Sequence, residues 1–304
     1  MKAIIQSKYG DASNLMMTKV EKPTPNENEV LIEMNTVNIA SGDMKVNTLD
    51  IPFGLKTIMK IMFGFKGPRR KIRGLTASGK IVKVGKNITK YKVGDRVYLI
   101  NSMKAGCLAE YLVMNEKGVI AEVPESMTYQ DAAPLAFGAM SSYHFINRNT
   151  VKKNDKVLIY GASGSLGTYA IQLAKYYGAE VTAVCSEKNH KVVLSLGADY
   201  VIDYKTTDFT QNNKKYDLIF DTVAKLKKSN VKESLTSIGK YVSSKSLTSE
   251  KVSILEEINE IINDGGLKTY IEKAYSFDKF KEAHEHVYSK HKVGNVVINI
   301  KEDS

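Results

Sequence analysis

The stretch 157-VLIYGASGSLGTYAIQLAKYYGAEVTAVCSEKN-189 restricts this chain more than any other. A β-type apolar run ends in the glycine-rich turn Gly161-Ala162-Ser163-Gly164-Ser165-Leu166-Gly167, a segment of helical apolar period follows, and a second β-type run closes it. Strand, turn, helix and strand in so short a span make a βαβ unit, whose two strands must lie parallel with the helix crossing over. The register Ala162-x-Gly164-x-x-Gly167 is the dinucleotide fingerprint GxGxxG with alanine first, in the strand-to-helix context it requires. Without a side chain, Gly164 lets the backbone approach a pyrophosphate, and Gly167 lets helix and strand pack closely. The helix N-terminus supplies N–H donors and a partial positive charge.

The end of the second strand selects the dinucleotide. A ribose diol calls for Asp or Glu there, whereas a 2′-phosphate calls for hydroxyl and cationic donors. Here the strand ends Val184-Cys185-Ser186, followed by Glu187-Lys188-Asn189. With no acid at the last strand positions, Ser186 and Lys188 favour NADPH. Glu187 leaves NADH as the weaker alternative.

Length and composition narrow the rest. At 304 residues, two domains are the default, and 43% hydrophobic with 25% charged residues fits a globular chain. The N-terminal MKAIIQSKYGDA lacks the features of a signal peptide and no apolar run is long enough for a membrane span, so a cytoplasmic location is expected. Cys107 and Cys185 lack CxxC spacing and read as small buried apolar residues. The formal charge of +11 comes almost wholly from lysine, with only five arginines, so it reads as solvated surface; nucleic acid is not the expected partner. One local concentration is Lys66, Arg69, Arg70, Lys71 and Arg73.

The first 120 residues carry short β-rich runs at 30–34, 79–85 and 95–100, broken by Asn, Gly and Pro. From about Asp155 strands and helices alternate, with strands expected at 156–160, 180–185, 200–202, 217–221 and 239–243. The tail returns to the first style, with a helix over 277–290 and a strand over 295–300. The fold class is therefore α/β, a doubly wound parallel sheet of Rossmann type joined to a mainly β domain.

Motifs along nearly the whole chain resemble those of zinc-free medium-chain dehydrogenases/reductases of the quinone oxidoreductase and enone reductase type. They are 36-TVNIASGDMK-45, 79-GKIVKVGKNITKYKVGDRVY-98, 106-GCLAEYLVM-114, 131-DAAPLAFGAMSSYHF-145, the cofactor unit ending GADYVIDY at Tyr204, 216-YDLIFDTV-223 and 283-AHEHVYSKHKVGNVVI-298. The resemblance implies a split GroES-like catalytic domain, residues 1–120 with 266–304, around a Rossmann domain at 121–265, and a homodimer. Zinc-dependent relatives would need Cys or Asp in the first segment, Gly-His-Glu further on and a cysteine-rich lobe. This chain has Ser41-Gly42-Asp43, Gly74-Leu75-Thr76 and no such lobe, so no metal site is expected.

Without a metal, a substrate carbonyl must be polarised by hydrogen-bond donors beside the cofactor. The resemblance places Asn38 and Lys45 near cofactor and substrate, and puts the Ser141 hydroxyl against the nicotinamide. It puts Tyr204 near the adenosine phosphate and brings Lys292 to the cofactor. Val223 and Ser243 fall at ends of later strands, where the ligand crevice forms. His144 reads as a packing residue. His284, His286 and His291 read as surface residues without acidic partners at catalytic spacing.

The segment 44-MKVNTLDIPFGLKTIMKIMFGFKGPRRKIRG-74 is rich in Met, Ile and Phe and ends in the basic cluster. It reads first as a lid or adaptable wall for a flat apolar substrate, a quinone or conjugated ketone. Its second reading, not the preferred one, is contact with a membrane surface. The activity expected is NADPH-dependent, zinc-independent hydride transfer to a quinone or an α,β-unsaturated carbonyl. The rival class is a redox-inactive NADPH-binding regulator or RNA-binding protein.

Overall fold

The computed structural model describes residues 1–50 and 53–301, without the side chains of Phe53 and Leu55; Ile51 of the apolar segment lies outside the described residues. Strands and helices follow in this order: β1 (Lys2–Gln6), β2 (Leu15–Lys19), β3 (Glu29–Ile39), α1 (Ser41–Thr48), α2 (Phe53–Phe63), β4 (Thr76–Val84), β5 (Arg96–Ile100), β6 (Tyr111–Asn115) and β7 (Val119–Glu122). Next come α3 (Tyr129–Ala132), α4 (Met140–Arg148), β8 (Lys156–Tyr160), α5 (Ser165–Tyr176), β9 (Glu180–Cys185), α6 (His190–Ser195), β10 (Tyr200–Asp203) and β11 (Tyr216–Asp221). The chain closes with α7 (Lys228–Val231), β12 (Leu235–Ser243), α8 (Val252–Asn263), β13 (Ile271–Ser276), α9 (Phe280–Tyr288) and β14 (Asn295–Asn299). Two compact units result, one of Met1–Phe137 with Ile271–Ser304, the other of Gly138–Tyr270.

The split unit is built on β3. Its alternation buries Val30, Ile32, Met34, Val37 and Ile39, and it has neighbours on both edges: β4 on one, β14 and β6 along the other. The sheet order is β13-β14-β3-β4-β5-β7, with β6 also on β3. Pairing of β14 with β3 is antiparallel, Val297 opposite Asn38, so the tail completes the sheet begun at the N-terminus. Phe277, Phe280, Ala283 and Val287, at the start of α9 and along it, pack on that same core.

The second unit is a five-stranded parallel sheet in the order β10-β9-β8-β11-β12. Strand β8 is central, and the chain runs outward first on one side and then on the other. The order therefore reverses between β8 and β11, at whose carboxyl ends a crevice forms in sheets of this kind. Strands covered on both faces must be apolar throughout, and Val157, Leu158, Ile159 and the run Val181–Cys185 are all buried. Helix α5 is buried from Gly167 to Ala174.

Cys107 and Cys185 are free and buried, and burial raises both thiol pKa values, that of Cys185 to about 11. No helix among the described residues is long and apolar enough to cross a membrane.

Candidate cofactor and active site

In the parallel-sheet unit the glycine-rich turn is pinned from two sides. The amides of Gly161 and Ala162 both donate to the Val184 carbonyl on β9, at 3.0 and 3.1 Å. From β11, the Thr222 hydroxyl donates to the carbonyls of Tyr160 and Gly161, at 2.9 and 3.0 Å. Gly161 has φ +78°, and a Cβ there would lie 2.6 Å from Val223 Cγ1. A Cβ on Gly167 would lie 2.4 Å from the Ala162 carbonyl oxygen, so strand and helix approach too closely for any side chain. Gly164 differs: its Cβ position meets only the Gly161 carbonyl oxygen, at 3.4 Å. Gly164 is also the N-cap residue of α5 and offers no side chain to the first-turn amides. A bare helix N-terminus beside an open Cβ position is a cradle suited to a pyrophosphate.

Residues assigned to the cofactor from sequence divide by position. Gly161, Ala162, Ser163, Gly164, Ser165, Leu166 and Gly167 form the turn. Val223 touches it, and Ser243 pairs with Asp221 at the carboxyl end of the neighbouring strand. Ser186 follows β9 and is buried, while Lys188 and Glu187 are exposed. Tyr204, just past β10, is 52% exposed. Lys292 lies in the other unit, where its ammonium donates to the Gly294 carbonyl and burial lowers its pKa to about 8.

Sequence reasoning overlooked Asn189. Its buried amide nitrogen donates to Ser163 Oγ at 2.9 Å and to Ser186 Oγ at 3.3 Å, joining the turn to the end of β9. Asp221 was also overlooked. It is fully buried, and its carboxylate accepts from the amides of Val223 and Leu226 and from the Tyr241 hydroxyl, shaping the loop that presents Val223. Asn189 reaches Ser163 across 26 positions and Asp221 reaches Tyr241 across 20, pairings that a local pattern does not show.

In the split unit, Asn38 sits on β3 opposite Thr76 of β4 and is 1% exposed. Its Nδ2 donates to Thr76 Oγ1 at 3.2 Å, while its buried Oδ1 has no protein partner. A hydroxyl can serve either end of an amide, so the free end can be presented as acceptor or as donor. Lys45, on α1, is exposed. Ser141 belongs to the other unit, on α4, and is 4% exposed. Its neighbour Ser142 donates to the carbonyls of Gly138 and Leu166, both at 2.8 Å, and so holds α4 against the first turn of α5.

Two sequence readings require correction. Arg73 is not part of a basic surface: it is 4% exposed, its Nε donates to Asn47 Oδ1 at 2.8 Å, and burial lowers its pKa. His284 is not a surface residue either; it is fully buried, with Nδ1 2.7 Å from the Phe280 carbonyl, and burial pushes its pKa down to about 4. His286 does have an acidic partner, Glu272, at 3.2 Å. His144 is partly buried, and burial lowers its pKa.

Asp43, of the segment Ser41-Gly42-Asp43, is buried on α1. Its oxygens accept from the amides of Ala40 and Leu75, at 3.0 and 3.1 Å. Burial pushes its pKa up to about 6, while Arg73 works against that rise. No group of three or more His, Cys, Asp or Glu among the described residues is placed to hold a metal ion.

Residues 26–152 match a family model described as an alcohol dehydrogenase GroES-like domain, and 165–243 and 244–298 match models described as zinc-binding dehydrogenase. The chloroplastic quinone oxidoreductase QR1 of Triphysaria versicolor is 31% identical, covering 98% of both chains. The mitochondrial NAD(P)H oxidoreductase RTN4IP1 of Homo sapiens is 28% identical over 99% of this chain and 89% of its own. The solved quinone oxidoreductase of Coxiella burnetii shares the fold, with a TM-score of 0.83 at 23% identity over 99% of both chains. The chain belongs to the medium-chain dehydrogenase/reductase superfamily, on its quinone oxidoreductase and enoyl reductase side. It is an oxidoreductase, built on a nicotinamide-dinucleotide fold.

Proposed function

We propose that the protein is an NADPH-dependent, zinc-independent reductase that delivers hydride to a quinone or an α,β-unsaturated carbonyl compound. The observation that carries the cofactor choice is the end of β9. There Ser186 is tied through Asn189 to Ser163 of the phosphate turn, with Lys188 exposed two residues on. Glu187 lines a cleft of about 390 Å³ with His190, Asp203, Thr206 and Thr207. A hydroxyl tied to the turn, with an ammonium two residues on in sequence, suits a 2′-phosphate.

The bound cofactor supplies the hydride. The amides at the start of α5 would hold its pyrophosphate, and Ser186, Lys188 and Tyr204 its adenosine phosphate. Asn38 offers one free amide end for orienting the nicotinamide amide or the substrate carbonyl. Lys45 is the donor assigned to polarise that carbonyl, so that negative charge developing on oxygen is met by a hydrogen bond, and the Ser141 hydroxyl is assigned to the nicotinamide. The names of the relatives, quinone oxidoreductase and 2-methylene-furan-3-one reductase, support acceptors of these two classes.

The test is NADPH oxidation with a panel of quinones and enones, followed by product analysis separating hydroquinone from saturated ketone. Lys188→Ala removes a charge-assisted hydrogen bond and should lower catalytic efficiency with NADPH by roughly ten- to hundred-fold, leaving NADH nearly unchanged. A wild-type preference for NADH would reverse the assignment and make Glu187 the ribose ligand. Zinc lost together with activity on chelation would overturn the metal-free reading.

A further inference from the structure

Helix α2 turns its apolar side to solvent. Ile58, Ile61 and Met62 lie at i, i+3 and i+4, on one face, and are 53%, 54% and 48% exposed; Phe65, just beyond the helix end, is 63% exposed. A helix that only packs on a domain does the reverse, so four large apolar side chains in one exposed stripe point to a partner phase. The stripe is held on a fixed platform. The Gly64 amide donates to Lys60, the Gly64 carbonyl accepts from the Tyr9 hydroxyl, and the Arg69 amide donates to Phe63. Gly67 lies so near the Ser7 carbonyl that no side chain would fit.

Beside the stripe is a cleft of about 350 Å³ lined by Lys8, Lys56, Lys60 and Lys66, with Tyr9 and Phe65. No carboxylate lines it, and none of the four ammonium groups pairs with one among the described residues. Arg69, Arg70 and Lys71 follow at once and are exposed. We infer that this face docks on an anionic phospholipid bilayer, with Ile58, Ile61, Met62 and Phe65 entering the headgroup–acyl boundary and the lysine cleft receiving lipid phosphates. Apolar side chains beside unpaired cations are what that boundary selects. A protein interface is depleted in lysine, and a second copy docked through the same face would set like charges against each other. This inference does not depend on the substrate or the cofactor.

Co-sedimentation with vesicles tests it, comparing pure phosphatidylcholine with the same lipid carrying about one third phosphatidylglycerol. Binding to the anionic vesicles alone, weakened at high salt, is expected. Lys56→Glu combined with Lys60→Glu should weaken it by about a hundred-fold or more, since each lysine near such a surface contributes roughly five-fold. Ile61→Ser combined with Phe65→Ser should weaken it by at least about ten-fold. The two apolar side chains altered are exposed, so an unchanged melting temperature will show that the fold is retained. No binding to anionic vesicles, or equal binding to neutral ones, would overturn the inference. So would a change of oligomeric state in the Ile61/Phe65 variant, which would make the stripe an interface between copies. Pyrophosphate binding lost in the lysine variant, without any vesicle binding, would make the cleft a free-anion site and also overturn it.

Discussion

The glycine-rich turn of the parallel-sheet unit and the buried polar cluster of the split unit work by opposite means. Around Gly161–Gly167 the chain removes side chains and leaves the first turn of α5 without a side-chain cap. Around Asp43 it buries polar and ionisable side chains that bond one another and the backbone. Arg73 bonds Asn47, the Asn47 amide donates to the Tyr288 hydroxyl at 3.2 Å, and Gln6 donates to the Asn47 carbonyl at 3.0 Å. His284 stands edge-on to Tyr288 in the same region. The comparison teaches that a site made of backbone is sensitive to added atoms, whereas a network of side chains is sensitive to removed charges.

The largest effect should come from the network. Arg73→Ala removes a buried guanidinium that bonds Asn47 and counters the pKa rise of Asp43, and should cost about 3 kcal/mol of stability or more, read as a lower urea midpoint or loss of soluble protein. Dinucleotide affinity of the folded fraction should be unchanged. A variant of wild-type stability would show that the cluster is not held by charge.

The pH dependence sharpens the same point. His284 has its folded pKa near 4, below its ordinary value of 6.5, so the stability it contributes is complete above 6.5 and is lost as pH falls toward 4. Asp43 has its folded pKa near 6, above its ordinary 3.8, so stability rises as pH falls through the same window. Each is worth about 3 kcal/mol at most, and the two nearly cancel. His284→Gln removes one of them, and its unfolding free energy should rise relative to that of the wild type as pH falls from 6 to 4. Parallel curves for the two proteins would count against the assignment.

The turn is tested by two alanines that differ only in what they meet. Gly167→Ala forces a methyl onto the Ala162 backbone and should cost about 2–3 kcal/mol of stability. Gly164→Ala meets almost nothing, so its stability should stay within about 1 kcal/mol, while cofactor affinity falls because the methyl occupies the ligand's space. Equal affinities in Gly164→Ala and wild type would break the reading of the turn as a cradle. Smallest of all, Asn189→Ala removes the bridge between Ser163 and Ser186 and should cost about 1 kcal/mol of NADPH binding, a few-fold change by titration.

What could be read along the chain was what depends on neighbours in sequence. Strands β8 and β9, helix α5 and the final strand β14 were all legible because apolar period and glycine placement are local signals. The positions of Gly164 and Gly167 could be assigned distinct roles for the same reason.

Other features depend on residues distant in the chain. Arg73 sits in a run of five basic residues and looks like surface; Asn47, which it bonds, is 26 positions away, and Asn47 in turn bonds Tyr288, 241 positions away. His284 lies on an amphipathic tail helix, and only the docking of α9 on the N-terminal core decides that it is buried. The apolar segment before Arg69 is apolar in any arrangement, but a hydropathy pattern carries no direction. By itself the sequence determined the elements of strong local period and the glycine-rich turn, because local sterics and periodicity specify both. Tertiary structure alone decided which polar groups are buried and which apolar face is left open, because burial is set by what packs against a residue from elsewhere in the chain.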